Sequence, residues 1–172
     1  MKPVAFDYYT PTSVGETLEL LTKHGTGGKI LAGGQTLVPF LNMRLVKPDS
    51  IIDINQVMEL DGIQVNSQGL LVGALTRQQT LIEDRRVAEG WPLLVDATGY
   101  IGHRAIRNRG TIGGSLVHAN PSAELPAAVM TLNAEIIARS PSGQRNIPAK
   151  DFFLGPMKTA LRADELLTHV QV

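Results

Sequence analysis

The sequence predicts an α+β fold in two lobes: a small β-α-β lobe over residues 1–55, and a larger lobe over 56–172 with an antiparallel sheet and helices. Three observations predict it. Residues 1–55 read as helix, strand, glycine loop, helix, strand, an order whose strands run parallel when a helix joins them. Beyond residue 56, paired apolar runs flank Ser67-Gln68-Gly69 and Pro141-Ser142-Gly143, the pattern of two hairpins and an antiparallel sheet. The chain has 172 residues, 43% hydrophobic and 19% charged, enough for one domain or two small lobes sharing a core.

The elements follow in order. Thr12 or Ser13 caps a first helix, and Ser13 to Glu16 fits a capping box. Val14, Leu18 and Leu21 form one apolar stripe, and Gly25 is its stop. Lys29 to Ala32 reads as a short buried strand running into Gly33-Gly34. A second helix starts near Thr36, with Pro39 tolerated in its first turn. Ser50 to Ile54 is the next strand. After the first hairpin, Thr76 to Gln79 carries a second capping-box pattern before Leu81 and Ile82. Pro92 opens a further helix ending near Gly99, and Ser122 caps another with Pro126 in its first turns. Val170 and Val172 alternate with polar neighbours as a half-buried strand does, so the chain is expected to be one piece of a longer polypeptide.

Composition removes several functions. Lys+Arg and Asp+Glu are both 16, so no charge excess points to nucleic acid. No apolar run spans a bilayer, and the N-terminal residues lack a signal-peptide core, which predicts a cytoplasmic protein. There is no cysteine, hence no disulfide, thiol nucleophile or thiolate-held cluster in this chain. His24, His103, His118 and His169 lack metal-ligand spacing, and no metal site is expected.

The chemistry-bearing features are two Gly-Gly segments, Ala32-Gly33-Gly34-Gln35-Thr36 and Thr111-Ile112-Gly113-Gly114-Ser115. Consecutive glycines lack Cβ atoms and permit positive φ, which turns successive N–H groups into one concavity. A helix N-terminus behind the first loop favours an anion, and Gln35 and Thr36 add donors. The second segment repeats the chemistry, with Thr111 and Ser115 hydroxyls around its glycines. A plain turn is the competing reading of either alone. No Gly-x-Gly-x-x-Gly follows a strand, and Gly25 to Lys29 is too short for a phosphate-binding lysine loop. Ser115 lacks the second glycine of a nucleophile elbow and reads as a hydrogen-bond donor. The basic run His103 to Arg109 faces solvent, a partner subunit or phosphate. Glu124 either favours a helix dipole or accepts ribose hydroxyls.

Taken together, these segments resemble a known family. Ala32 to Leu37 with Arg44, Ile52 to Asn55, Arg107 to Ser115, His118 to Glu124 and Phe152 to Gly155 are similar, in order and spacing, to the medium, flavoprotein subunit of molybdenum hydroxylases, the group of carbon monoxide dehydrogenase and xanthine dehydrogenase. The resemblance covers essentially the whole chain. It implies a two-lobed FAD-binding domain in which Leu31, Ala32, Gly33, Gly34, Gln35, Thr36 and Leu37, with Thr111, Gly113, Gly114 and Ser115, wrap the diphosphate. It places Glu124 on the nucleotide half and Ile101, Gly102 and Leu167 at the flavin. It names no catalytic acid or base. Glu124 stands where many members have Asp, and Asn120 where Asp is frequent. Members continue with a further strand and a C-terminal lobe. The function implied is electron transfer from [2Fe–2S] clusters through FAD to an external acceptor. The clusters sit on a small iron-sulfur subunit, and the molybdenum cofactor on a large subunit. Two alternatives stand beside it: a self-contained FAD oxidoreductase of the same superfamily, and a non-redox nucleotide-binding module.

Overall fold

The computed structural model describes residues 2–172, and the α+β class stands. The first sheet is three-stranded and parallel: β1 (Asp7–Tyr9), β2 (Gly28–Leu31) and β3 (Ser50–Asp53), in the order β1-β3-β2. β2 and β3 are the predicted pair, with Ile30 opposite Ile52. β1 was not predicted. It is three mostly exposed residues at an edge, too short to show alternation. Helix α1 (Val14–His24) packs its Val14, Leu18 and Leu21 stripe against Ile52, Ile54, Val57 and Leu60, with Leu75 and Leu166 completing this cluster. α2 is Leu37–Asn42, and Pro39 is its third residue.

Ser13 caps α1, its hydroxyl accepting from Glu16 N at 3.2 Å. The Glu16 carboxylate reaches back to Thr12 N at 2.7 Å, so the box closes one residue early. Ser13→Ala is expected to destabilise the fold by about 1 kcal/mol, read as a lower denaturant midpoint at constant slope.

The second sheet is five-stranded and antiparallel. It contains β4 (Ile63–Asn66), β5 (Gly69–Gly73), β6 (Glu135–Ser140), β7 (Gly143–Pro148) and β10 (Leu166–Gln171), in the order β4-β5-β10-β6-β7. Both predicted hairpins form, β4–β5 and β6–β7. β10 occupies the centre of the sheet, between β5 and β6. Between the hairpins lie α3 (Gln78–Glu83), α4 (Arg85–Gly90), α5 (Pro92–Gly99), α6 (Arg104–Arg107), α7 (Ile112–His118) and α8 (Glu124–Thr131). α9 (Ala149–Phe152) and the small pair β8 (Phe153–Gly155) and β9 (Lys158–Thr159) follow β7. Leu81, Leu94, Leu116, Leu125, Phe152 and Val170 share the larger core. No helix among the described residues is long and apolar enough to cross a membrane.

Three helix starts differ from expectation. Thr76 is not a cap: it is buried, and its hydroxyl donates to Gly62 O at 3.0 Å, leaving Arg77 at the start of α3 without a side-chain cap bond. α4 was missed because Asp84 ends α3 and caps the next helix, accepting from Arg86 N at 2.8 Å. Ser122 does not cap α8. Asn120 makes the turn instead, its side-chain oxygen taking Ser122 N at 3.0 Å, and Ala123 precedes the helix.

Candidate functional site

The first glycine segment leaves the parallel sheet at the end of β2 and lines a cleft of about 500 Å³. Leu31 to Gln35 line it, with Val38 and Pro39 of α2, Tyr8, Asp53 and Asn55 from the sheet, and Arg109 from the segment before α7. Gly34 has φ +71°, a left-handed conformation that glycine adopts without strain. The Gln35 amide donates to Gly33 O at 3.1 Å, and Val38 N to Gly34 O at 3.1 Å, which fix the loop. The N–H groups of Gly33, Gly34, Gln35 and Thr36 donate to no other group among the described residues. Successive unspent donors on a glycine loop make an anion nest.

The second glycine segment is built differently, which corrects the expectation that it repeats the first. Gly113 and Gly114 lie in the first turn of α7, and neither has a positive φ. Their donors are spent: Gly113 N on Ala74 O at 2.9 Å, Gly114 N on Thr111 Oγ1 at 3.1 Å. Thr111 is a buried N-cap, and Ser115 Oγ has no partner among the described residues. Gly113 is needed for packing, since a Cβ there would stand 2.7 Å from Ala74 Cβ and 2.8 Å from Ala74 O.

The two segments nonetheless meet. A Cβ on Gly33 would stand 2.4 Å from Arg109 O, and one on Gly114 would stand 4.0 Å from Ala32 Cβ. Polar groups stitch the same junction. Arg77 Nη2 donates to Asn55 Oδ1 at 2.7 Å and Arg77 Nη1 to Arg109 O at 2.6 Å. Asn55 Nδ2 donates to Ala32 O at 2.9 Å and to Asp53 Oδ1 at 2.5 Å. Tyr8 Oη donates to Asp53 Oδ2. That bond to a carboxylate, with partial burial and the Asp53 charge, pushes the Tyr8 phenol up to about 12, so it stays protonated at neutral pH. Burial draws the Arg77 guanidinium down from its ordinary value, against the attraction of Asp61 and Asp53, and Arg109 repels it.

The basic run divides by role. Arg104 pairs with Glu83 at 2.9 Å on the surface. Arg107 donates to Gln79 Oε1 and to the carbonyls of Gly99, Ile101 and Gly102, holding that loop. Arg109 lines the cleft and its side chain makes no ion pair among the described residues.

The remaining expected site residues lie outside the cleft lining. Thr36 and Leu37 start α2, and Glu124 starts α8. Ile101 packs on the larger core beside Gly102, whose φ is +45°. Leu167 is 3% exposed and sits in the core of the five-stranded sheet. Tyr8 and Arg77 were not singled out from the sequence. Tyr8 lies on the unpredicted strand, and Arg77 lay inside a stretch read as a capping box.

Residues 4–172 match the family described as the FAD binding domain in molybdopterin dehydrogenase. The chain belongs to this family. The FAD-binding domain is 42% identical over 172 residues to subunit alpha of the 6-hydroxypseudooxynicotine dehydrogenase complex of Paenarthrobacter nicotinovorans, covering 100% of this chain and 58% of that one. It is 38% identical to the carbon monoxide dehydrogenase medium chain of Hydrogenophaga pseudoflava, over 100% of this chain and 60% of that one. The solved carbon monoxide dehydrogenase of Hydrogenophaga pseudoflava superposes with a TM-score of 0.98 at 38% identity, again over 100% and 60%. This FAD-binding domain therefore spans about three fifths of the length of the curated relatives it matches. The first glycine segment has the chemistry the cofactor needs: Gly33, Gly34 and Gln35, whose N–H groups are unspent, line one cleft with Arg109, whose side chain makes no ion pair among the described residues.

Proposed function

We propose that the chain holds FAD as part of the flavoprotein subunit of a molybdenum-containing dehydrogenase or hydroxylase. The observation that carries the reading is the run of unspent N–H groups from Gly33 to Thr36, on a loop whose Gly33, Gly34 and Gln35 line one cleft with Arg109. The nest and the Arg109 guanidinium bind the diphosphate, with the Ser115 hydroxyl as a further donor. Thr111, Gly113 and Gly114 shape the facing wall, and Ala32, Leu31 and Leu37 set the loop between strand and helix. Glu124 accepts from the ribose, and Ile101, Gly102 and Leu167 belong to the flavin end. Residues 1–55 and 56–172 act as two lobes around the cofactor. Bound FAD takes up electrons singly and releases them singly or in pairs, which joins one-electron clusters to an external acceptor. The clusters and the molybdenum cofactor belong to a small and a large partner subunit.

The test is the colour and composition of the protein purified with the chains expressed beside it. The expected result is a yellow protein with stoichiometric FAD, together with iron-sulfur and molybdenum subunits. Yellow protein that purifies alone and oxidises a small substrate would support a self-contained oxidoreductase. Colourless protein that ignores added FAD and binds another nucleotide would sink both flavin readings.

A further inference from the structure

One arginine joins the two glycine segments and has no carboxylate partner. Arg77 stands between β5 and α3 with its guanidinium half-buried, and it enters no ion pair among the described residues. Such a group is costly to bury unless its donors are placed. Here one end of the fork reaches Asn55 Oδ1 at 2.7 Å and the other Arg109 O at 2.6 Å. Asn55 in turn holds Ala32 O at 2.9 Å, the start of the first glycine segment. Arg109 O is the atom against which Gly33 packs, so the chain of contacts closes into a ring. The backbone reinforces it: Arg77 pairs with Thr111 as an antiparallel bridge, Gln78 N donates to Gly110 O at 2.9 Å, and Ile112 N to Thr76 O at 3.1 Å.

We propose that Arg77, through Asn55, is a positioning residue that holds the two glycine segments at one separation and so sets how tightly the cleft takes a diphosphate. The inference rests on the FAD reading above. The two ends of a planar fork reach two segments at once, whereas a lysine ammonium is a point charge that satisfies one. The cleft is thereby shaped before the ligand arrives, and binding costs less ordering. Arg77 itself lies behind the loop rather than in the cleft lining.

The test uses the full-length protein in its complex, stripped of flavin and titrated with FAD and with ADP, which carries the diphosphate without the flavin. Arg77→Lys, Arg77→Gln, Asn55→Ala and the Arg77→Gln/Asn55→Ala pair are compared. Each single variant is expected to weaken both ligands about tenfold or more. The double variant should be no weaker than the worse single one, since both break the same ring. The ligand-free melting temperature should fall by less than the loss of affinity would require, since a half-buried guanidinium that loses one acceptor can regain water. Restoration by Arg77→Lys would assign the effect to charge alone and overturn the proposal. Additive losses, or a fall in melting temperature that accounts for the weakened binding, would overturn it as well. If the Arg77 variants do not fold, Asn55→Ala alone still decides: unchanged FAD and ADP affinity rejects the clamp. Wild-type protein that binds neither FAD nor ADP would instead reject the FAD reading and the clamp together.

Discussion

Gly33→Ala protein is expected to lose its flavin and to melt at a lower temperature. The added Cβ would stand 2.4 Å from Arg109 O, 2.8 Å from Gly110 Cα and 3.0 Å from Arg109 C. All three are backbone atoms, so no flexible side chain gives way, and the two segments must part. Overpacking of this kind costs about 1–3 kcal/mol. The parting also breaks the bond from Arg77 to Arg109 O and widens the cleft. Gly34→Ala is the internal control. Its φ of +71° makes any side chain strained, but the nearest atoms are side-chain methyls, Val38 Cγ2 at 3.1 Å and Leu31 Cδ1 at 3.3 Å. Its cost is about 1 kcal/mol, with partial flavin retention. The measurements are the flavin-to-protein ratio and the thermal melt. If Gly34→Ala proves the more damaging of the two, contact between the segments is not what Gly33 serves.

The second large effect lies outside the cleft lining, at the residue that precedes β10. The Glu165 side chain is 3% exposed and accepts from Arg145 Nε at 2.6 Å, Arg145 Nη2 at 2.8 Å and Arg162 N at 2.7 Å. Arg145 also donates to Ala160 O at 2.8 Å, so the pair ties β7 to the turn that feeds the central strand. Removing one partner of a fully buried pair costs about 3–5 kcal/mol. The Arg145 side chain is 38% exposed and regains water, so Glu165→Ala is expected nearer ~2 kcal/mol. The Arg145 hydrogen bonds hold the Glu165 carboxyl below its usual range, against the opposing effect of burial. Its stabilisation is therefore complete above the unfolded glutamate value and is lost as pH falls through the lower folded value. Denaturant midpoints of wild type and Glu165→Gln should differ fully at pH 7 and converge below about pH 4. A difference that persists unchanged into acid would show that the ion pair contributes nothing.

Residues 1–55 were largely legible because their signals are local. Ser13 and the Val14, Leu18, Leu21 stripe specify α1 by capping and helical spacing, and Gly33-Gly34 marks the turn after β2. The hairpins were legible for the same reason, since Gly69 and Gly143, both at positive φ, punctuate them. The helix start at Thr76 was misread because a capping hydroxyl and a buried hydroxyl have the same sequence signature, and the one at Ser122 because Asn120, two residues earlier, takes the turn with its own side chain. Only the surroundings decide which acceptor or donor is near.

By itself the sequence determined the α+β class, the parallel and antiparallel sheets, and the glycine turn after β2, since each follows from neighbours a few residues apart. The tertiary structure alone decided what the second glycine pair does. Its N–H groups turn inward to Ala74 and Thr111, so Gly113 serves close packing. Only the fold, too, brings Arg77 between Asn55 and Arg109, residues distant in sequence, because side-chain hydrogen bonds depend on where separate elements meet and leave no periodic trace along the chain.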